Sequence, residues 1–378
     1  MKILFCTNAF EHVTNGPAKF AHLILEINET HPEHEIRILT EDATCEGKYV
    51  HFVPLCIPKS LKPLGQVLRM FAYYRKAKQI RDAFPFDIIV YNNAYTGLWA
   101  SLVSRLPTVG MINDEKNIRA TLAAFRPDRW WLKQFFFRQI ERASTHTHRL
   151  IITNSKFLKG RVEQAYATPA EKVYLLYKSI DLLPIVYQPE RTFANPVKVL
   201  FVKADYLVGN LSVLVQALAE LPQHRFRLTV IGPEPRFEAD LRKFFQNAHN
   251  VVFDYLGPQP QQVVYEHLRT NDIFCVPSDT EALGVANIEA LAHGIPVVSS
   301  RVGGIPEVLA DGENGWLVPP NDTTALAQAV GECIENPVLR RQKSEKGRVF
   351  VKRFGKERMA QGFVNILQNA TSRLDKKQ

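Results

Sequence analysis

Glu281 and Glu289 stand in the stretch Asp272–Pro320, DIFCVPSDTEALGVANIEALAHGIPVVSSRVGGIPEVLADGENGWLVPP. An apolar run, Ile273–Val276, ends in Pro277-Ser278. A polar loop carrying Glu281 and Gly284 then leads into a helical pattern, Val285–His293, which Gly294 stops before a second buried run, Ile295–Ser299. Strand, loop, helix and strand in one unit place the loop and the helix N-terminus at the carboxyl edge of a parallel sheet. Open backbone amides and the helix dipole favour an anion there. Ionised carboxylates are strong acceptors for hydroxyl groups. Either glutamate alone reads as a surface charge or a helix cap, but the two beside an anion site fit a sugar nucleotide, which brings both a diphosphate and hydroxyls.

The elements that position this stretch are alternating strands and helices throughout. Residues 2–7 form a first strand, and a helix follows the loop that closes on Asn15-Gly16-Pro17; proline in a first turn loses no needed hydrogen bond. The amides at Gly16 suit a phosphate or an acceptor, or the segment is an ordinary connection. Strands at Ile88–Tyr91 and Thr108–Ile112 end in polar residues, the second in Asn113-Asp114-Glu115-Lys116, where open α/β sheets place ligands. The pattern lapses at Leu182–Asn195, read as an interdomain linker. It resumes with strands at Val197–Val202, Arg227–Ile231 (then Gly232-Pro233) and Val251–Tyr255 (then Leu256-Gly257-Pro258), and with a helix over Phe237–Asn247. The expected fold class is α/β, two Rossmann-like domains facing across a cleft, spanning 1–182 and 196–355. Neither half carries GxGxxG after its first strand or a GxxxxGK[ST] loop, so dinucleotide and P-loop chemistry have no support.

The chain has 378 residues, 46% hydrophobic and 22% charged, as in a soluble globular protein of two domains. No apolar run is long enough to span a membrane, and MKILFCTNAF reads as a buried strand, not a leader. Five scattered cysteines without a CxxC suggest a reduced, cytoplasmic protein without structural zinc. The net charge of +9 is concentrated between Lys59 and Arg142, where 15 Lys/Arg face 6 Asp/Glu. Two helices in that window, 64–84 and 126–142, interleave cations with Phe71, Tyr73, Tyr74, Trp130, Trp131 and Phe135–Phe137. They suggest a peripheral seat on an anionic membrane surface; the alternative is that the aromatics, Phe135–Phe137 included, pack inward beneath a solvated charged face. Nucleic acid is not expected, because no recognition motif accompanies the charge.

Taken together, nearly the whole chain resembles the GT-B retaining glycosyltransferases of family 4, most densely from Val197 to Pro320. Glu281 and Glu289 match that family's E-x7-E signature. Pro277-Ser278, Glu281-Ala-Leu-Gly284, Ile288-Glu289-Ala290, Gly294-Ile-Pro-Val-Val298, Gly303-Gly304-Ile-Pro-Glu307 and Leu317-Val-Pro-Pro320 continue the match in register. Gly16-Pro17-Ala18-Lys19-Phe20 is similar to a variant of its glycine-rich first loop. The resemblance implies that Glu289 accepts from the donor's ribose hydroxyls and that Glu281 holds the transferred sugar. It implies that Leu283, Gly284 and Val285 present amides to the diphosphate, and that Gly257-Pro258 lines the base. Gly16 and Gly232 join this donor-binding set. It further implies that helix 356–378 packs back on the N-terminal domain, that the reaction needs neither metal nor cofactor, and that a UDP-hexose is the donor. The acceptor would be a glycan or lipid-linked glycan, as in polysaccharide or glycolipid assembly.

This chain departs from the family pattern in three places. An arginine and a lysine that would neutralise the leaving diphosphate are missing near Ala204 or Val208 and at Gly209, which leaves Lys203, with Lys178 as a further candidate. Asn113-Asp114 stands where His-Asp is usual, and Lys178-Ser179-Ile180-Asp181 where NGVD or KGVD is common. The catalytic set is therefore Glu281, Lys203, Asn113 and Asp114. A degenerate GT-B protein that binds a sugar nucleotide or a partner transferase without turnover is the alternative.

Overall fold

The computed structural model describes the chain apart from residues 12–15, 43, 45, 46, 56–64, 122–128, 181, 183–192 and 373–378, and apart from the side chains of residues 129 and 130. Most of the expected linker lies outside the described residues, as do Asn15, Cys45, Cys56, Arg126 and Asp181. The chain divides into two compact units, Met1–Lys178 with Lys356–Gln378, and Ser179–Gly355.

The first unit is built on seven strands: β1 (Lys2–Cys6), β2 (Glu35–Thr40), β3 (Val50–Phe52), β4 (Ile88–Tyr91), β5 (Thr108–Ile112), β6 (Leu150–Thr153) and β7 (Val173–Leu175). They pair in the order β3-β2-β1-β4-β5-β6-β7, all parallel, so the winding reverses between β1 and β4. β4, β5 and β6 are buried along their whole length, as a parallel sheet covered on both faces requires. On one face, Ile3 and Phe5 pack with Phe20 and Ile24 of the helix Gly16–Leu25 and with Phe363 and Leu367 of the helix Lys356–Ser372. The Phe5 and Phe363 rings lie 6.3 Å apart. The last helix of the chain thus supplies core side chains to the first unit, each burial worth about 1.5–3 kcal/mol.

The second unit holds β8 (Val197–Val202), β9 (Phe226–Ile231), β10 (Val251–Gly257), β11 (Ile273–Val276), β12 (Val297–Ser300) and β13 (Trp316–Val318). Their order is β10-β9-β8-β11-β12-β13, again all parallel, with the reversal between β8 and β11, where Val199 faces Ile273. Such a reversal opens a crevice at the carboxyl ends of the two central strands.

Two helices are shorter than their patterns suggest. The helix expected over 64–84 runs Gly65–Ile80, and the chain passes through turns at 81–83 before Pro85. That expected over Phe237–Asn247 is a 3-10 turn, Pro235–Phe237, and a helix Glu238–Lys243 that buries only Leu241. So little packing does not sustain a longer helix. The Phe135–Phe137 run is not wholly buried: Phe137 is 8% exposed and Phe136 52%.

Candidate functional site

The reversal in the second sheet carries two of the expected residues and brings them together. Lys203 follows the last residue of β8, and Glu281 lies in the loop after β11. The Lys203 Nζ donates to Glu281 Oε2 at 2.5 Å, with each side chain about three-quarters buried. Several contacts hold the two loops in place. Asp205 Oδ1 accepts from the amides of Leu207 and Val208, the Asp279 amide donates to the Val208 carbonyl, and Asn210 Nδ2 donates to the Pro277 carbonyl. On the far side, Gly303, at φ +56°, lies so close that an added Cβ would stand 1.5 Å from the Glu281 carbonyl oxygen, and the Gly304 amide donates to that oxygen.

Gly209, where the resemblance would place a cation, is sterically closed. A Cβ there would stand 2.5 Å from the Phe201 ring and 3.0 Å from Cγ of Lys203. The Phe201 ring fills that space, with the stem of Lys203 beside it. Gly232, at φ +120°, packs as tightly against the Lys203–Ala204 backbone, and its amide donates to the carbonyl of Gly257. Gly257 itself has φ +66°, and the exposed Pro258 leads toward the helix Gln261–Thr270.

Gly284 is the N-cap of the helix Val285–Ala292, at φ 90° and ψ 55°, and no side chain caps it. The first amides of a helix have no intrahelical acceptor; Asn287 and Ile288 already donate to the Gly284 carbonyl, so the amides of Val285 and Ala286 are the ones that face an anion. Leu283 is buried beneath them and Val285 half-buried. Glu289 projects one turn further along, is 9% exposed, and accepts from Gln261 Nε2 at 3.0 Å. The second unit thus holds a cation, a carboxylate in contact with it, an uncapped helix N-terminus and a second carboxylate on that helix.

Gly16, Asn113 and Asp114 belong to the first unit. Gly16 opens its helix in exposed surroundings, with nothing within 4 Å of an added Cβ, so no close approach calls for glycine there. Around the reversal of the first sheet, Asn92 Nδ2 donates to Thr7 Oγ1, and Asn113 Nδ2 donates to both the carbonyl and Oδ1 of Asn92. Asn154 Nδ2 donates to the Asn113 carbonyl. Four strand ends are thereby tied by one polar network. Asp114 accepts from the Lys116 amide and, with Asn113, lines a pocket of about 260 Å³. Glu115 lies near Arg119 and Arg161, and so reads as a structural charge.

At the same pocket stands Glu141, which the pattern of its helix did not single out. It is 5% exposed and accepts from Tyr166 Oη at 2.6 Å and Asn117 Nδ2 at 2.9 Å. Burial raises its pKa from 4.5 to about 7; Asp114 adds to the rise, and the two hydrogen bonds and Arg138 oppose it. The folded state therefore holds a proton that the unfolded state releases between those values, and stability falls as pH rises through that window. Glu141→Gln should leave stability unchanged near pH 4.5 and raise it above wild type by about 3 kcal/mol at pH 8. His148, which burial holds down to about 4, acts in the opposite sense but is common to both proteins and cancels. Urea midpoints across pH would decide; a difference that does not vary with pH would exclude this role.

Among the described residues, no group of three His, Cys, Asp or Glu side chains is placed to hold a metal ion. None of their helices is long and apolar enough to cross a membrane. Cys6, Cys275 and Cys333 are buried free thiols, and burial raises the pKa of each.

Two family models match the chain: glycosyl transferases group 1 over residues 187–350 and glycosyltransferase family 4 over residues 29–182. WcaL of Escherichia coli K12, a glycosyltransferase named for colanic acid biosynthesis, is 33% identical over 189 residues, covering 47% of this chain and 46% of WcaL. Sucrose-phosphate synthase from Thermosynechococcus elongatus superposes with a TM-score of 0.79 at 18% identity, covering 98% of this chain and 99% of that one. Anabaena HepE, solved in complex with UDP-glucose, gives a TM-score of 0.73 at 20% identity, covering 98% and 100%.

Proposed function

The chain belongs to the group 1 glycosyltransferases of family 4, with the GT-B fold, and from that membership we propose that it transfers a hexose from UDP-hexose to a glycan or lipid-linked acceptor with retention of configuration. The observation that carries the reading is the Lys203–Glu281 pair at the sheet reversal, in the same unit as the uncapped N-terminus of the helix Val285–Ala292. The UDP-glucose bound by HepE, a protein of the same fold, supports a UDP-sugar donor.

In this mechanism the helix amides and Lys203 take the diphosphate. Glu281 holds hydroxyls of the sugar, and Glu289 accepts from the ribose. The bond from the anomeric carbon to the diphosphate oxygen breaks, and a bond from the acceptor oxygen forms on the same face. The acceptor's proton passes to the departing phosphate oxygen. Lys203 neutralises the charge that develops there, which is the role of an electrostatic stabiliser. Asn113 and Asp114 serve the acceptor side. The chemistry calls for no metal.

UDP should bind the wild-type protein, and Glu289→Ala should weaken it by roughly 10- to 100-fold, as loss of charged hydrogen bonds does. Calorimetric titration would show this; equal affinity in the two proteins would remove Glu289 from the ribose.

The acceptor is proposed to be membrane-proximal. The helices Gly65–Ile80, Leu98–Val103 and Arg129–Thr147 pack in succession and leave Phe71, Trp99, Leu102, Leu132 and Phe136 exposed, with Phe71 and Trp99 in ring contact at 4.7 Å. Exposed aromatics in the cation-rich part of the chain suit an anionic bilayer. Vesicles containing anionic lipid should float the protein, and vesicles of neutral lipid should not; no flotation with either would end this reading.

A further inference from the structure

At the reversal of the second sheet, Lys203 does not stand ready for an anion. Its Nζ donates to Glu281 Oε2 at 2.5 Å, and both side chains are about three-quarters shielded from water. The pair lies at the helix N-terminus itself. A Cβ built on Gly284, the N-cap of the helix Val285–Ala292, would stand 3.5 Å from Glu281 Cγ. The backbone of Glu281 is hemmed in, because Gly303 packs against its carbonyl group and the Gly304 amide donates to that oxygen. Whatever rearranges here must therefore be side chains, and the four-carbon stem of a lysine is flexible.

Two charges so shielded do not part without replacement partners, since one left alone is uncompensated. A nucleoside diphosphate offers phosphate oxygens to Lys203 but no donor to Glu281. A nucleotide sugar offers both, phosphate oxygens to the ammonium and hydroxyl donors to the carboxylate. Transfer of the sugar takes those hydroxyls away, and the bond that breaks adds negative charge to the diphosphate. A cation with no tie to an acid would then hold the product more tightly than the donor.

We propose that the Lys203–Glu281 pair is a latch that opens for a nucleotide sugar and closes again on the bare nucleoside diphosphate, so that the site favours donor over product. The latch rests on the donor reading of the second unit given above. In the resting protein it is shut. Sugar hydroxyls take over the Glu281 carboxylate, and the Lys203 ammonium turns to the diphosphate as charge gathers there. Once the sugar has gone, Glu281 draws Lys203 back and UDP is released.

The test is calorimetric titration with UDP and with UDP-glucose, UDP-galactose and UDP-N-acetylglucosamine, without acceptor. Wild type should bind at least one UDP-sugar about tenfold more tightly than UDP, the scale of one charged hydrogen bond. Glu281→Gln keeps the shape of the side chain and removes the charge that ties Lys203. It should bind UDP about tenfold more tightly than wild type does and the UDP-sugar less tightly, so that the preference inverts. Lys203→Ala/Glu281→Gln, with neither charge, should return to about wild-type affinity for UDP. Melting temperatures show whether each variant is folded, and the wild-type preference is a reading of its own should either variant not fold. Equal binding of UDP and the UDP-sugars by wild type, or UDP binding unchanged or weakened in Glu281→Gln, would overturn the latch and leave the donor reading standing. Tight UDP binding kept in the double variant would also overturn it, because relief of repulsion by Glu281, without Lys203, would then explain the gain. No binding of UDP or of any UDP-sugar by wild type would remove the donor reading and the latch together.

Discussion

Lys203→Ala is expected to lower the turnover rate by about two to three orders of magnitude, the loss seen when one preorganised charge stabiliser is removed. Lys203 is the cation in contact with Glu281 at the sheet reversal, and the space at Gly209 that would take another is closed by the Phe201 ring and the Lys203 stem. The charge it meets grows as the sugar–phosphate bond breaks, so kcat should fall far more than affinity for the donor. Lys203→Arg keeps the charge but not the compact ammonium geometry, and should recover part of the rate. Steady-state kcat and KM for the UDP-sugar separate these outcomes. A fall confined to KM would mean that Lys203 binds the donor without assisting departure of the diphosphate.

Gly303→Ala should be the most damaging single methyl in the second unit. Its left-handed φ of +56° is unfavourable for any side chain, and the new Cβ would lie 1.5 Å from the carbonyl oxygen of Glu281 and 2.7 Å from its carbonyl carbon. Those atoms are backbone, so no rotamer change relieves the collision, and the loop carrying Glu281 must move. A loss of about 3 kcal/mol or more is expected, the backbone strain alone contributing about 1–3 kcal/mol. Movement of Glu281 also breaks its contact with Lys203, so donor binding should fall with stability. Gly312→Ala is the control: its φ is +106° but nothing lies within 4 Å of the added methyl, so only the backbone term remains. Denaturant midpoints of the two variants should differ clearly. If they coincide, the close approach of Gly303 to Glu281 is not a constraint on the fold.

Much of this was legible in the sequence because it rests on local pattern. The buried strands of the second sheet read as short apolar runs, and the spacing of Glu281, Gly284 and Glu289 marked a loop entering a helix. What the sequence left open depends on contacts between distant segments. Lys203 could be named as a nearby cation, but its pairing with Glu281 follows from β8 and β11 becoming neighbours at the reversal. Gly303 matched a family position, yet its steric role comes from a carbonyl that no local pattern places beside it. Nothing in the local pattern singles out Glu141; its setting depends on Tyr166 and Asn117, which other segments bring to it. In the Phe135–Phe137 run, successive helical positions are about 100° apart, so three consecutive side chains cannot share one buried face. Phe136 turns outward for that reason.

On this reading the protein both binds a UDP-sugar in its second unit and breaks the glycosyl–phosphate bond. The direct measurement is free UDP released from a panel of UDP- and GDP-sugars by the purified protein, with donor binding measured in the same samples. Release from one UDP-sugar, abolished by Glu281→Ala, is the predicted result. Tight binding of a UDP-sugar with no release in the presence of any acceptor would contradict it, and would leave a protein that holds the nucleotide sugar without transferring it.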